Sequence, residues 1–189
     1  MLSKSNLHRG SRTHSVSTFN NGHMSVHRFT GAFNPSNIPD SADFYICHVQ
    51  APTSQKSEAH PAKTLFIDEA HTILMDSYVW HNGILKEKYM AEQQYDWDTE
   101  CIAFKVPNGE INELDGSFAC FHYMGDTLTV FRNELSPLFY GEIGQFSSTK
   151  TQLTPTPVEA NKVFKIDIES AKLTQVSEFK TLENPYFFM

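Results

Sequence analysis

The run Phe44-Tyr45-Ile46-Cys47-His48-Val49 constrains the fold more than any other stretch, because it is nearly all apolar and does not alternate. A strand with one wet face alternates apolar and polar residues; one that does not is expected to be covered on both faces. Phe118-Ala119-Cys120-Phe121-His122-Tyr123-Met124 has the same character. Two such strands suit two sheets facing one another with helices outside, a four-layer αββα sandwich of the α+β class.

The remaining chain reads as short strands joined by tight turns. Thr13 to Phe19 and His23 to Phe29 flank Asn20-Asn21-Gly22, which predicts a hairpin. His23 and His27 share a face of its second strand, but four strand residues span about 13 Å, too far for one metal ion, so both read as solvated. Residues 31 to 42 form an irregular connection, and Gln50 to Pro61 a long polar loop of the kind that carries sites. Leu65 to Asp68 and Thr72 to Met75 predict one hairpin. Tyr78-Val79-Trp80 then meets Asn82-Gly83, two residues tolerant of positive φ. This predicts a sharp turn that leaves an amide side chain and a main-chain N–H pointing one way, as in an oxyanion site; the bland alternative is a plain turn.

Ile84 to Gln94 has helix-forming composition, with Leu85, Tyr89 and Met90 at helical spacing. Asp98-Thr99-Glu100 predicts a second helix start, with Asp98 or Thr99 as cap and Cys101, Ile102 and Phe104 facing inward. Pro107-Asn108-Gly109 ends it. Ser117 to Met124 and Thr127 to Arg132 are joined by a two-residue turn, Gly125-Asp126, and two short strands follow at Leu138 to Tyr140 and Gln145 to Ser148. Thr151 to Pro157 reads as a linker. Val163 to Ile168 and Leu173 to Phe179 form a last hairpin, and the aromatic tail Tyr186-Phe187-Phe188 is expected to dock on the core. Strands joined mainly by hairpins, with helices only in the middle, exclude a βαβ order.

At 189 residues the chain can bury a core without disulfides or metal. A formal net charge of -7 argues against nucleic acid or an anionic membrane as partner, since phosphate binding draws on a Lys/Arg surplus. No apolar run approaches the roughly 20 residues of a membrane span, and the opening residues lack the apolar core of a signal peptide, which reads as a cytoplasmic protein. Cys47, Cys101 and Cys120 show no C-x-x-C spacing and read as buried free thiols. Neither a metal nor a cofactor is expected.

Several short motifs are collinear with those of a known family. They are Leu7-His8-Arg9-Gly10, His48-Val49-Gln50-Ala51-Pro52-Thr53, Ala59-His60-Pro61, His81-Asn82-Gly83, Asp98-Thr99-Glu100, Leu114-Asp115-Gly116-Ser117-Phe118-Ala119, and Arg132 to Gly141 with Ser136-Pro137-Leu138. In order and rough spacing this set resembles the N-terminal nucleophile (Ntn) glutaminase domain of class II glutamine amidotransferases. The resemblance covers residues 7 to 150. It implies a glutaminase-like domain over residues 1–150, with residues 151–189 a C-terminal hairpin and tail packed on the same domain.

In that family an amino-terminal cysteine attacks the side-chain amide of glutamine, its own α-amine acts as base, and an Asn side chain with a Gly N–H holds the oxyanion. The resemblance gives the oxyanion role to Asn82 and Gly83. It gives the substrate α-ammonium to Asp98 and places Thr53 in the substrate-carboxylate loop. His60 falls on a loop near the pocket with no assigned role. Two departures weaken the reaction. The nucleophile and its strand, which precede the Arg-Gly segment in the family, have no counterpart before Arg9-Gly10. Gln50 stands where the family has an arginine that clamps the substrate carboxylate, a task an uncharged amide does less well. The expected function is therefore a catalytically degenerate domain that binds a glutamine-like small molecule or a protein partner. The alternatives are an active glutamine-hydrolysing amidotransferase whose amino terminus is truncated or misassigned in this sequence, and an unrelated α+β binding protein.

Overall fold

The structure is a computed structural model and describes residues 10–51, 58–67, 73–86 and 95–182. Strands β1 (Thr13–Asn20) and β2 (His23–Thr30) form the first hairpin around Asn21 and Gly22, both at positive φ, as a two-residue turn matched to strand twist requires. Strand β3 (Phe44–Gln50) pairs with the other side of β1, giving a three-stranded sheet in the order β2-β1-β3. His23 and His27 are exposed on β2, as expected.

A six-stranded antiparallel sheet faces it. Its strands are β4 (Ala62–Ile67), β5 (Ile73–Leu85), β6 (Gly116–Met124), β7 (Thr127–Arg132), β11 (Lys162–Ile166) and β12 (Leu173–Glu178), in the order β12-β11-β7-β6-β5-β4. Helix α1 (Asp98–Lys105) packs on its outer face against β4 and β5. A small third sheet, β10-β8-β9, comprises β8 (Phe139–Tyr140), β9 (Phe146–Ser147) and β10 (Thr156–Pro157).

Strand β6 carries the two-sided burial that its sequence predicts. Its odd-numbered residues Ala119 and Tyr123 join Phe19, Ile46, Trp80 and Val130 in the core between the sheets. Its even-numbered residues Phe118 and Cys120 join Val79, Ile102, Phe131 and Phe179 in a second core under α1. Polar groups also tie the sheets together. Trp80 Nε1–H donates to Ser17 Oγ at 3.2 Å, Tyr123 O–H to the Gly22 carbonyl at 3.1 Å, and His48 Nε2–H to the His81 carbonyl at 3.0 Å.

Several expectations are corrected. Strand β3 is an edge strand and not buried on both faces: Phe44 and Ile46 turn inward, while Cys47 is exposed and not the buried thiol expected. Asn82-Gly83 is not a turn. Both residues lie within β5, paired with Ala119 and Phe118, and β5 runs on through Ile84 and Leu85 where a helix was expected; residues 87–94 lie outside the described residues. The ladder to β6 outweighs local helix propensity there. The N-cap of α1 is Trp97, with no side-chain cap, so Asp98 and Thr99 are the first helical residues. Phe104 is 41% exposed, while Cys101 and Ile102 face inward as expected. Thr151 to Pro157 is no linker: Thr154 is fully buried, and Thr156–Pro157 pair with Phe139–Tyr140. The tail from residue 183 and the Leu7-His8-Arg9 motif lie outside the described residues.

The last hairpin extends the main sheet, since β11 pairs with β7, and Phe179 beyond it stacks on Phe118 at 5.7 Å and meets Phe131 edge-on at 6.2 Å. Phe179→Ala is therefore expected to cost about 3–5 kcal/mol of stability, the range for deleting a buried Phe side chain. Urea unfolding checks this, and an unchanged midpoint would place the C-terminal segment outside the cooperative core.

Candidate functional site

Strand β5 lays His81, Asn82 and Gly83 in a row where β4 no longer runs beside it, since the β4 pairing ends at Ala62↔Val79. Gly83 is fixed by close approach. Its φ is +141°, and a Cβ there would lie 2.0 Å from the Ser117 carbonyl oxygen, so only glycine lets β5 pass β6 at this point. Phe118, opposite Gly83, exchanges hydrogen bonds with Asn133 instead: Phe118 N–H donates to Asn133 Oδ1 and Asn133 N–H to the Phe118 carbonyl. The Gly83 amide is thus not tied to its cross-strand partner. The Asn82 carbonyl accepts from Ser136 Oγ at 2.9 Å, which holds that peptide in place.

Four of the five residues expected from sequence, Gln50, Asn82, Gly83 and Asp98, line one small cavity of about 70 Å³. Thr53 lies outside the described residues. Gln50, at the end of β3, is 6% exposed, and its Oε1 accepts from Thr13 Oγ1 at 2.6 Å. Asp98 stands in the first turn of α1, where Oδ2 accepts the Leu85 N–H at 3.3 Å.

The sequence reading missed the histidine framework around these four residues. His81 N–H donates to His60 Nδ1 at 3.2 Å, and the His60 ring stacks on His48 with centroids 3.8 Å apart and meets Trp97 edge-on at 4.9 Å. Arg28 of β2 holds the His60 segment by donating to the Ala59 and Pro61 carbonyls, each at 2.8 Å. His48, His60, His81 and Trp97 all line the cavity. The motifs containing the histidines were visible in sequence, but they lie 12 to 33 positions apart and converge only through the tertiary fold, which no local pattern displays.

Burial keeps these rings neutral. It pulls His48 down to about 4, lowers His60 well below its ordinary value, and lowers His81 against the opposing pull of the Asp98 carboxylate. His81 directs Nε2 at the Ser117 carbonyl at 3.3 Å and turns Nδ1 toward Asp98 Oδ2 at 3.7 Å, the carboxylate whose pull opposes the effect of burial. Asp98 is then the one formally charged side chain among the residues that line the cavity. Such a site can hold an ammonium group at one end and hydrogen-bond an amide at the other.

Thiol chemistry is poorly served here. Cys47 opens on an adjoining, larger cavity that shares His48, Val49, His81 and Asn82 with the first, and the protein crowded around it pushes the thiol up to about 11. Cys101, also raised to about 11, and Cys120 are buried, as expected.

The neutral histidines carry a pH dependence. His48 is lowered to about 4, as is His122, which sits on β6 beside β5 and hydrogen-bonds Ser77. Unfolding releases both to an ordinary value of about 6.5, so the unfolded chain binds more protons between those limits. Their contribution to stability is fully present above about pH 6.5 and is lost as pH falls toward 4. Urea midpoints measured across that window should decline with acid, and His122→Gln should flatten the decline. Gly83→Ala is expected to cost about 2 kcal/mol or more in the same assay, because the backbone must shift to clear Ser117.

No protein-family model and no curated protein sequence matches the chain. Solved structures do match. The chain is similar to glutamine phosphoribosylpyrophosphate amidotransferase from B. subtilis, solved in complex with ADP and GMP, with a TM-score of 0.65 and 19% identity over 91% of this chain and 44% of that one. It is also similar to a structure described as the allosteric regulatory enzyme of purine biosynthesis, with a TM-score of 0.63 and 18% identity over 92% of this chain and 45% of that one. This chain spans less than half the length of either. No helix among the described residues is long and apolar enough to cross a membrane. At these identities the likeness establishes the fold: the two facing sheets with α1 outside form an Ntn-hydrolase-type sandwich like that of the amidotransferase structures.

Proposed function

We propose that this chain is a glutaminase-like domain that holds glutamine, or a small amide resembling it, without hydrolysing it, and so serves as a binding or regulatory protein. The observation that carries this reading is the single small cavity lined by Gln50, Asn82, Gly83 and Asp98. In this reading the Asn82 side-chain amide and the Gly83 N–H receive the carboxamide oxygen, and Asp98 receives the α-ammonium. The Gln50 amide faces the α-carboxylate alongside the segment that contains Thr53. A neutral amide there gives a weaker hold than a bidentate guanidinium.

The absence of hydrolysis rests on what lines the cavity. No thiol does so among the described residues. Thr99 offers a hydroxyl, yet its Oγ1 lies 3.4 Å from His81 Nδ1, the same ring nitrogen that faces Asp98, and the other nitrogen is occupied by Ser117. A nucleophile, base and orienting carboxylate need the imidazole between them, so no relay runs through Thr99.

Calorimetric titration of the purified chain with L-glutamine tests the proposal, together with an assay for released ammonia. Binding without ammonia is expected. Asn82→Ala and Asp98→Asn should each weaken binding by about tenfold to a hundredfold, the worth of a hydrogen bond to a charged or buried partner. A folded chain that ignores glutamine would overturn the reading. Ammonia release that Asn82→Ala abolishes would replace it with a live glutaminase.

A further inference from the structure

The charge of the small cavity restricts what it can hold. Among the described residues that line it, Asp98 is the one formally charged side chain, and no Lys or Arg stands opposite. The cations on the adjoining segments are engaged elsewhere. Arg28 directs Nε–H and Nη2–H at the Ala59 and Pro61 carbonyls, and Lys86, next after Leu85, pairs with Asp115 at 2.9 Å. Burial lowers the proton affinity of His48, His60 and His81, so the rings add no positive charge near neutral pH. The lining instead offers Gln50, a primary amide that is 6% exposed and anchored through Oε1 to the Thr13 hydroxyl. An amide both donates and accepts, which makes it the complement of another amide, whereas a carboxylate only accepts.

We propose that the preferred ligand of this cavity is a glutaminyl group with a free α-ammonium and its carboxyl group capped as an amide, rather than free glutamine. The inference rests on the glutamine reading of the site and narrows its ligand class. Free glutamine brings a carboxylate into a space that already holds the Asp98 carboxylate, so the occupied cavity carries a net negative charge. A buried charge without a partner is costly, and a neutral amide such as Gln50 compensates a carboxylate less well than a cation does. Capping the carboxyl group removes that charge. The ammonium then balances Asp98, the side-chain carboxamide keeps Asn82 and Gly83, and Gln50 meets a group that donates and accepts as it does. Two sources share this chemistry: a free amino amide and the amino-terminal glutaminyl residue of a peptide.

Calorimetric titration of the full chain with L-glutamine, L-glutaminamide and L-glutaminyl-glycinamide tests this at about pH 6.5, where an α-amine of ordinary value about 7.7–8.0 is charged. L-Glutaminamide is expected to bind about tenfold tighter than L-glutamine, or better. Equal binding of L-glutaminyl-glycinamide would identify a peptide end as the source, and its rejection a free amino amide; either result upholds the capped carboxyl group. Gln50→Arg, in a variant whose fold is checked by urea unfolding, should invert the order in favour of L-glutamine, because a guanidinium clamps a carboxylate. Raising the pH to about 9 should weaken L-glutaminamide binding by discharging its ammonium, and Asp98→Asn should abolish that dependence. L-Glutamine binding as tightly as L-glutaminamide, or a folded Gln50→Arg chain with the original order, would overturn the inference while leaving the glutamine reading intact. A folded chain that binds none of the three would overturn both.

Discussion

The close pass of β5 against β6 at Gly83 is the constraint on which the rest of the site depends. Ser117 leaves no room for a Cβ there, and Gly116 answers from the other strand, where a Cβ would lie 2.3 Å from the Ile84 carbonyl oxygen. Two glycines at φ +141° and +134° let the ladder continue to Leu85. That continuation keeps His81, Asn82 and Gly83 on a straight, paired strand, and a site built on a strand is held more rigidly than one built on a loop. It also brings the Leu85 N–H to Asp98, so the first turn of α1 is fastened to the same strand that carries the amide donors.

Around that strand the protein buries neutral imidazole rather than charge. His48, His60 and His81 each place a ring nitrogen on a backbone group, and the burial that lowers their affinity for protons keeps them from competing with a bound cation. Asp98 is left as the local charge. In the proposed reading that charge meets the ammonium of the ligand, and among the described residues no guanidinium lines the cavity to meet its carboxylate. Among the described residues the cavity lining contains no thiol.

Much of the fold was legible in sequence, for reasons that differ by element. The hairpins at Asn21-Gly22 and Gly125-Asp126 were visible because turn chemistry is local, and the double burial of β6 because a missing alternation is local too. The exposure of Cys47 was not legible: an apolar run looks the same on a buried strand and on an edge strand beside an open slot. The Asn82-Gly83 pair was read as a turn because both residues tolerate positive φ. The glycine was needed instead for its missing Cβ, a contact with Ser117 of β6 that becomes visible only once β5 and β6 are paired. The gathering of Gln50, Asn82, Gly83 and Asp98 was reached through collinear motifs, and the histidines that hold them together became apparent only in three dimensions.

A structure of the chain crystallised with L-glutamine tests the central claim most directly. The account predicts intact glutamine with its carboxamide beside Asn82 and Gly83 and its ammonium against Asp98. Glutamate in place of glutamine, or glutamine bound elsewhere, would contradict it.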